Sequence, residues 1–293
     1  MALSGMTGFA RAGGEVEWGS WNWEARSVNG RGLDVRLNLP SGLEAIEQKI
    51  RKSASELFSR GNVQVSLRID MQGADKVIVN ESVLKTLTGA YEQAEGAMAT
   101  GAALATLMTT KGVIETETLS LRDLSVIEGA IDALTASGLE MLASLKRARD
   151  QEGENLYPLL LGQLSELEEF TQQATVFAEE QKDSIAEKYR SRIREFDTEG
   201  AVSDERLATE IAVLSAKADV TEELDRLNAH IERGKALVSG EGAVGRDLGF
   251  LAQELNREAN TLCSKSASLD LTNKGLALKS VIDQFKEQAA NVE

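Results

Sequence analysis

Between Leu3 and Asp70 apolar residues recur at every second position: Trp21, Trp23 and Ala25, then Leu33, Val35, Leu37 and Leu39, then Val63, Val65, Leu67 and Ile69. Alternation of this kind marks strands with one buried face. Gly13-Gly14 and Gly30-Arg31-Gly32 read as turns. Pro40 ends a strand before Leu43, Ile46, Ile50, Ala54 and Leu57 change to helical period, with Gly61 as the cap of that helix. The pattern predicts three or four antiparallel strands, a helix, and a strand that returns to the sheet. The three Trp could stack bases, but their alternate strand positions place them in the core.

Beyond Asp70 the period lengthens. Val83 to Met98 reads as a helix, Ala99 to Ala105 as a small, flexible stretch, and Val113 to Leu124 as a strand-like link. A long helical region starts at Gly138 and is interrupted or restarted at Pro158. Leu160, Leu164, Leu167, Phe170, Ala174 and Phe177 then repeat close to every 3.5 residues, the seam of a helical arm that packs on another helix. The stretch Glu179 to Glu195 alternates in charge sign and reads as a solvated face, and Asp197 to Ser203 breaks the arm at Gly200.

Two further helices follow, with apolar stripes at Val220, Leu224, Leu227 and Ile231 and at Leu248, Leu251, Leu255, Ala259 and Leu262. The last helix carries Leu278, Ile282, Phe285, Ala289 and Val292, spaced to pack on the arm or on another subunit. The fold class is therefore α+β: an N-terminal antiparallel sheet with a packed helix, then a long, coiled-coil-like helical region. Two domains are expected, residues 1–135 and residues 136–293.

Composition narrows the function. Only Pro40 and Pro158 interrupt a chain rich in Leu, Ala and Glu, in keeping with high helix content. Cys263 is the single cysteine, so an internal disulfide and a zinc cluster of cysteines are both excluded and a reducing compartment is implied. No apolar stretch approaches the roughly 20 residues that span a bilayer, and the opening residues do not read as a leader, which predicts a soluble, cytoplasmic protein without a membrane partner. A net charge of -15 argues against nucleic-acid binding by bulk electrostatics. The charge is uneven, however: residues 1 to 70 hold 9 Lys or Arg against 8 acids, so the remainder carries the whole acidic excess.

The candidate chemistry lies in the two helices near the end. Glu223 and His230 share one flank of the first stripe, and Glu254 and Glu258, four residues apart, edge the second. Glu223 and His230 are seven residues apart, roughly 10 Å along a helix, too far to bind one ion directly. A site at His230 must borrow acids from a neighbouring helix, and Glu254 and Glu258 are the natural lenders. Carboxylate oxygens with one imidazole suit Mn²⁺ or Mg²⁺. The plainer reading is a solvated acid pair and a packed histidine. Near the sheet, Arg26, Asn29 and Arg31 cluster at a strand-turn junction where a guanidinium fork could hold a phosphate, or where ordinary surface arginines flank a hairpin.

Met6-Thr-Gly-Phe-Ala-Arg11, Arg26-Ser-Val-Asn-Gly-Arg31, Ser59-Arg-Gly-Asn-Val63, Glu222-Glu-Leu-Asp-Arg-Leu227 with His230, and Phe250-Leu-Ala-Gln-Glu-Leu-Asn-Arg-Glu-Ala-Asn-Thr261 followed by Ser264-Lys-Ser266 resemble the YicC/YloC family from end to end. The resemblance implies a manganese-active endoribonuclease, built as a ring-like homohexamer with a cavity for RNA. It implies an RNA-facing, oligomerising N-terminal part. Glu223, His230, Glu254 and Glu258 fall on the family's acidic and histidine positions, and Asn29, Arg31 and Arg60 on its N-terminal motifs. The turn that usually reads Ser-Val-Asn-His-Arg has Gly30 here, which leaves His230 as the only histidine.

On this reading His230, Glu254 and Glu258 bind the metal, with His230, Glu223 and Glu258 as the catalytic group. Arg26, Asn29, Arg31, Arg60 and Arg257 bind RNA. The rival from another class is a non-catalytic RNA-binding adaptor that delivers RNA to a separate nuclease, in which the C-terminal acids serve only as salt bridges. A helical scaffold without an RNA partner is the third possibility.

Overall fold

The computed structural model describes residues 3–71, 76–117, 124, 127–196, 203–240 and 242–293. Strands β1 (Gly8–Val16), β2 (Gly19–Val28), β3 (Leu33–Asn38) and β4 (Gly61–Met71) form one sheet in the order β1-β2-β4-β3, with α1 (Glu44–Leu57) between the last two in sequence. The β1, β2 and β4 ladders are antiparallel as the alternation predicts, whereas β3 runs parallel to β4. A helix between two neighbouring strands accounts for that direction, because a strand can return parallel only after a crossover. Hence the sheet is mixed. The α1 helix ends at Phe58 rather than at Gly61, which opens β4 with a positive φ of 109°.

Gly13 and Gly14 lie inside β1, not at a turn; the β1–β2 hairpin turns at Glu17 and Trp18. A Cβ on Gly14 would meet the Trp21 ring at 2.5 Å and one on Gly13 the Trp21 carbonyl oxygen at 2.4 Å, so the glycines make room for Trp21 rather than for a bend. The inner face of β1 is otherwise Ala10 and Ala12, small enough for a helix to pass close by. Trp21 and Trp23 are buried there, and their indole N–H groups donate to Ser137 Oγ (2.7 Å) and the Leu134 carbonyl (3.0 Å).

Both those acceptors belong to α4 (Ala130–Phe196), whose 67 residues extend about 100 Å at 1.5 Å each. Its first turns bury Leu134, Met141, Leu142 and Leu145 against the sheet and α1. Its later turns bury Leu156, Leu160, Leu164, Leu167 and Ala174 in a second core with α6 (Thr221–Ser239), α7 (Gly245–Lys265) and α8 (Leu269–Ala289). The helix continues through Pro158, where a break was expected: Leu156 and Leu160 are held in the core on either side of it, although proline removes one backbone donor. A division at 135/136 falls within this helix. The α8 stripe packs on the arm of its own chain.

Residues 76–117 add β5 (Lys76–Val79), α2 (Glu81–Glu95), α3 (Gly101–Met108) and β6 (Ile114–Glu117). Ala99 to Ala105 is thus mostly helix, started by Thr100, whose side chain accepts from the Ala103 N–H. The rest of the expected link to Leu124 and the break at Gly200 fall outside the described residues, apart from Leu124, which is buried in the first core. After the arm comes α5 (Asp204–Lys217).

Where the two cores meet, Arg149 is fully buried. It donates to the Gly5 carbonyl (2.7 Å), the Ser27 hydroxyl (3.3 Å) and the Arg60 carbonyl (3.0 Å), and pairs with Glu293 at 3.1 Å. Burial lowers the pKa of its guanidinium, and the Glu293 charge acts in the opposite direction. The end segments are clamped close by. A Cβ at Gly153 would sit 1.6 Å from the Leu3 carbonyl oxygen, and one at Gly245 would sit 1.9 Å from that of Val292. Since backbone cannot swing aside, Gly153→Ala and Gly245→Ala should each cost about 2–3 kcal/mol, measured by urea unfolding. Gly162 and Gly249 have open space around the same position, so alanine there should stabilise by up to about 1 kcal/mol.

Candidate metal centre

The helix α6 buries Leu224, Leu227 and Ile231, and α7 buries Leu248, Leu251, Leu255, Ala259 and Leu262, as their stripes predict. Gly234 allows the close approach: a Cβ there would meet Leu164 at 2.8 Å and Leu251 at 2.9 Å. With both stripes turned inward, the flanks of the two helices meet at the core's edge. Ligand atoms of His230, Glu254 and Glu258, one from each, lie within 4.8 Å of one another. His230 and Glu254 are half-buried and Glu258 is buried, so the cluster has a wet side and a dry side.

Two atoms bound at about 2.1 Å to one small cation are about 3.0 Å apart at adjacent octahedral positions and about 4.2 Å at opposite ones, so closure from 4.8 Å needs shifts of up to about 1–2 Å. Rotation of the half-buried side chains can supply that. Two carboxylates and an imidazole fit Mn²⁺ or Mg²⁺ by donor type. Among the described residues His230 has no hydrogen-bond or ion-pair partner, which leaves its ring nitrogens available.

Glu258 is not free. Arg257 reaches it with Nε (3.1 Å) and Nη2 (2.8 Å), and Arg226 Nη1 lies at 3.6 Å. Arg226 also bonds Glu222, and Arg257 approaches Glu254 at 3.4 Å. The hydrogen bond to Glu258, followed by the charge of Glu254, holds the Arg257 guanidinium above its ordinary pKa. These cations offset acids that would otherwise repel each other. Sequence reasoning passed over Arg226, although it stands on the same helical flank as Glu223 and His230, at three and four residues from them.

Glu223 is outside the cluster. It is buried, its Oε1 accepts from Lys265 Nζ (2.8 Å), and its Oε2 has no partner among the described residues. The N-terminal motif residues are elsewhere as well. Arg60 donates to the carbonyls of Val292 (3.3 Å) and Gly30 (3.4 Å), and its guanidinium lies against Gly245 at the start of α7, about 14 Å along that helix from Glu254. Asn29 donates to Asn291, Arg26 lies on the outer sheet face, and Arg31 is exposed on the turn. A Cβ on Gly30 would lie 2.9–3.1 Å from the backbone of Gly32 and Gly61, so this turn has closed over the space a larger residue would need. Cys263, its thiol pKa raised by burial, contributes no ligand to the cluster.

Fold and cluster together define an α+β protein with a candidate cation-binding cluster in its helical half. The chain matches the family models described as Endoribonuclease YicC-like, N-terminal region over residues 3–158 and Endoribonuclease YicC-like, C-terminal over residues 174–293. It is 32% identical over 300 residues to the Probable endoribonuclease YicC of Haemophilus influenzae, with 98% of this chain and 99% of that protein covered. It is 27% identical over 306 residues to the protein of the same name from Clostridioides difficile, with both chains covered in full. The chain belongs to the YicC-like endoribonuclease family. Among the described residues no helix is long and apolar enough to cross a membrane.

Proposed function

We propose that this chain is a metal-dependent endoribonuclease that hydrolyses RNA phosphodiester bonds, with Mn²⁺ or Mg²⁺ held by His230, Glu254 and Glu258. The observation that carries this reading is the convergence of those three ligands from two helices within 4.8 Å. Such an ion supplies Lewis acidity, making water a better nucleophile near neutral pH and offsetting charge that grows on the phosphate. The chain's own groups do the rest. Arg257, more than half exposed, is anchored on the acids and presents its remaining N–H groups to a phosphate oxygen; Arg226 approaches the same oxygen of Glu258. His230 completes the ligand set, and Glu223 fixes Lys265 at the end of α7. Arg31, exposed on its turn and without an ion-pair partner among the described residues, offers a positive charge for more distant phosphates. The active form is taken to be a homohexamer, as the sequence resemblance implies, and sedimentation mass tests it.

The deciding experiment incubates labelled RNA with Mn²⁺, with Mg²⁺ and with EDTA. Internal cuts with either ion and none in EDTA are expected; cutting that survives EDTA eliminates the metal-dependent route. A second measurement does not need activity. Mn²⁺ at about one hundred times its dissociation constant should raise the unfolding free energy by about 2.7 kcal/mol, and His230→Ala should remove most of that gain.

One observation favours the adaptor reading: Glu254 and Glu258 already have guanidinium partners, as helix-stapling acids would. Tight RNA binding with no cutting under any divalent ion would select it.

A further inference from the structure

The sheet has a second face that the proposed centre does not use. With Trp21, Trp23, Ala25, Val63 and Val65 turned inward, the opposite parity turns Phe9, Arg11, Glu24, Arg26, Arg36, Asn38, Gln64 and Ser66 outward, and none of these outward residues is buried. Register arranges them in rows: Phe9, Arg26, Gln64 and Arg36 cross the four strands side by side, and Arg11, Glu24, Ser66 and Asn38 form the next row. Phe9 is 46% exposed, with the guanidinium carbons of Arg11 and Arg26 at 5.0 and 5.5 Å from its ring centre. A pocket of about 300 Å³ opens between Arg26, Arg36, Gln64 and Ser66.

An exposed aromatic ring on a sheet, ringed by arginines and by Asn, Gln and Ser donors, is a surface on which unstacked bases lie flat while phosphates meet guanidinium groups. The two rows carry three arginines against the single acid Glu24, in a chain of net charge -15. Arg11 is paired with Glu24 (2.7 Å) and Arg36 with Asp34 (2.9 Å), but Arg26 has no carboxylate partner among the described residues. Toward the β1–β2 hairpin the same face carries Arg68 and then Glu15 and Asp70, and beyond the Arg36 row it carries Asp34, so the excess of arginine lies in these rows.

We infer that the outer sheet face is a docking surface for a short run of single-stranded RNA, with Phe9 as the stacking platform and Arg26 and Arg36 as the phosphate contacts. This deepens the proposed function and rests on it for the identity of the ligand. The face takes RNA with little regard to sequence, because every base has a ring to stack and the guanidinium groups meet the backbone. It acts separately from the metal centre, supplying affinity rather than chemistry.

The test measures binding of a fluorescein-labelled 12-nucleotide oligouridylate by anisotropy in EDTA, where metal-assisted cutting is suppressed. Phe9→Ala should weaken binding about tenfold. The double variant Arg26→Ala/Arg36→Ala should reduce the slope of log affinity against log salt by about 1.4, roughly 0.7 for each lost phosphate contact. Lys52→Ala, on α1, should change nothing. In Mn²⁺ the Phe9 variant should keep kcat while KM rises. Unaltered oligouridylate affinity in both sheet variants, with the parent protein still cutting RNA, overturns the docking surface alone; a parent that neither binds nor cuts RNA overturns the proposed function. If the variants change the sedimentation mass and leave RNA affinity intact, the face is a contact between copies of the chain, and the inference fails.

Discussion

Glu258→Gln is expected to lower divalent-metal-dependent RNA cleavage by at least about 100-fold with little loss of stability. The substitution is nearly isosteric, and the amide keeps an oxygen for Arg257, so the packing around this buried residue has no cavity to collapse into. What disappears is a negative charge and, in the proposed centre, one anionic ligand. Loss of a ligand from a three-residue set weakens metal binding more than the 10–100-fold typical of losing a supporting group. His230→Ala should behave alike. Measured together, cleavage rate, Mn²⁺ affinity and urea midpoint separate the roles: full activity in both variants removes these residues from the site, whereas lost activity with a collapsed midpoint reports only unfolding.

Arg149→Met should be the most destabilising single change away from that centre, costing about 3–5 kcal/mol in chemical unfolding. The cost is not the strength of an ion pair as such. Removing the guanidinium strands the Glu293 carboxylate, largely buried, and leaves the carbonyls of Gly5 and Arg60 without that donor. Glu293 retains the Ser59 hydroxyl and backbone N–H, so Glu293→Gln should cost less. The two changes combined should cost clearly less than their sum, because each removes the partner that makes the other harmful. Additive losses would show that Arg149 acts through packing on Phe58 rather than through charge.

Much of this architecture was legible because burial writes itself into the period. The apolar stripes of α6, α7 and α8 and the alternating positions of β2 and β4 each had a single way to face inward, and they took it. The errors arose where a residue had two physical uses. Gly13-Gly14 looked like a bend and proved to be clearance for Trp21. Pro158 looked like a break, but long-range packing outweighed one missing hydrogen bond. The direction of β3 depends on which strand becomes its neighbour, which no local pattern encodes. At the candidate centre, the i, i+4 acids and the flank position of His230 were readable, and their meeting followed from two stripes sharing one core. That Glu223 would turn to Lys265, and Arg226 to Glu258, depended on how the helices are rotated against each other. Those rotations are fixed by side-chain volume at Gly234 and its neighbours, not by spacing.

The long α4 helix has a consequence for dissecting the protein. Its first turns complete one hydrophobic interior and its later turns complete the other, so any cut between them leaves a fragment with a raw apolar wall. Neither half expressed alone owns a finished interior unless it carries its own share of this rod. Even then the stump beyond that share would project into solvent as an unsupported spike, an invitation to proteases and to self-association.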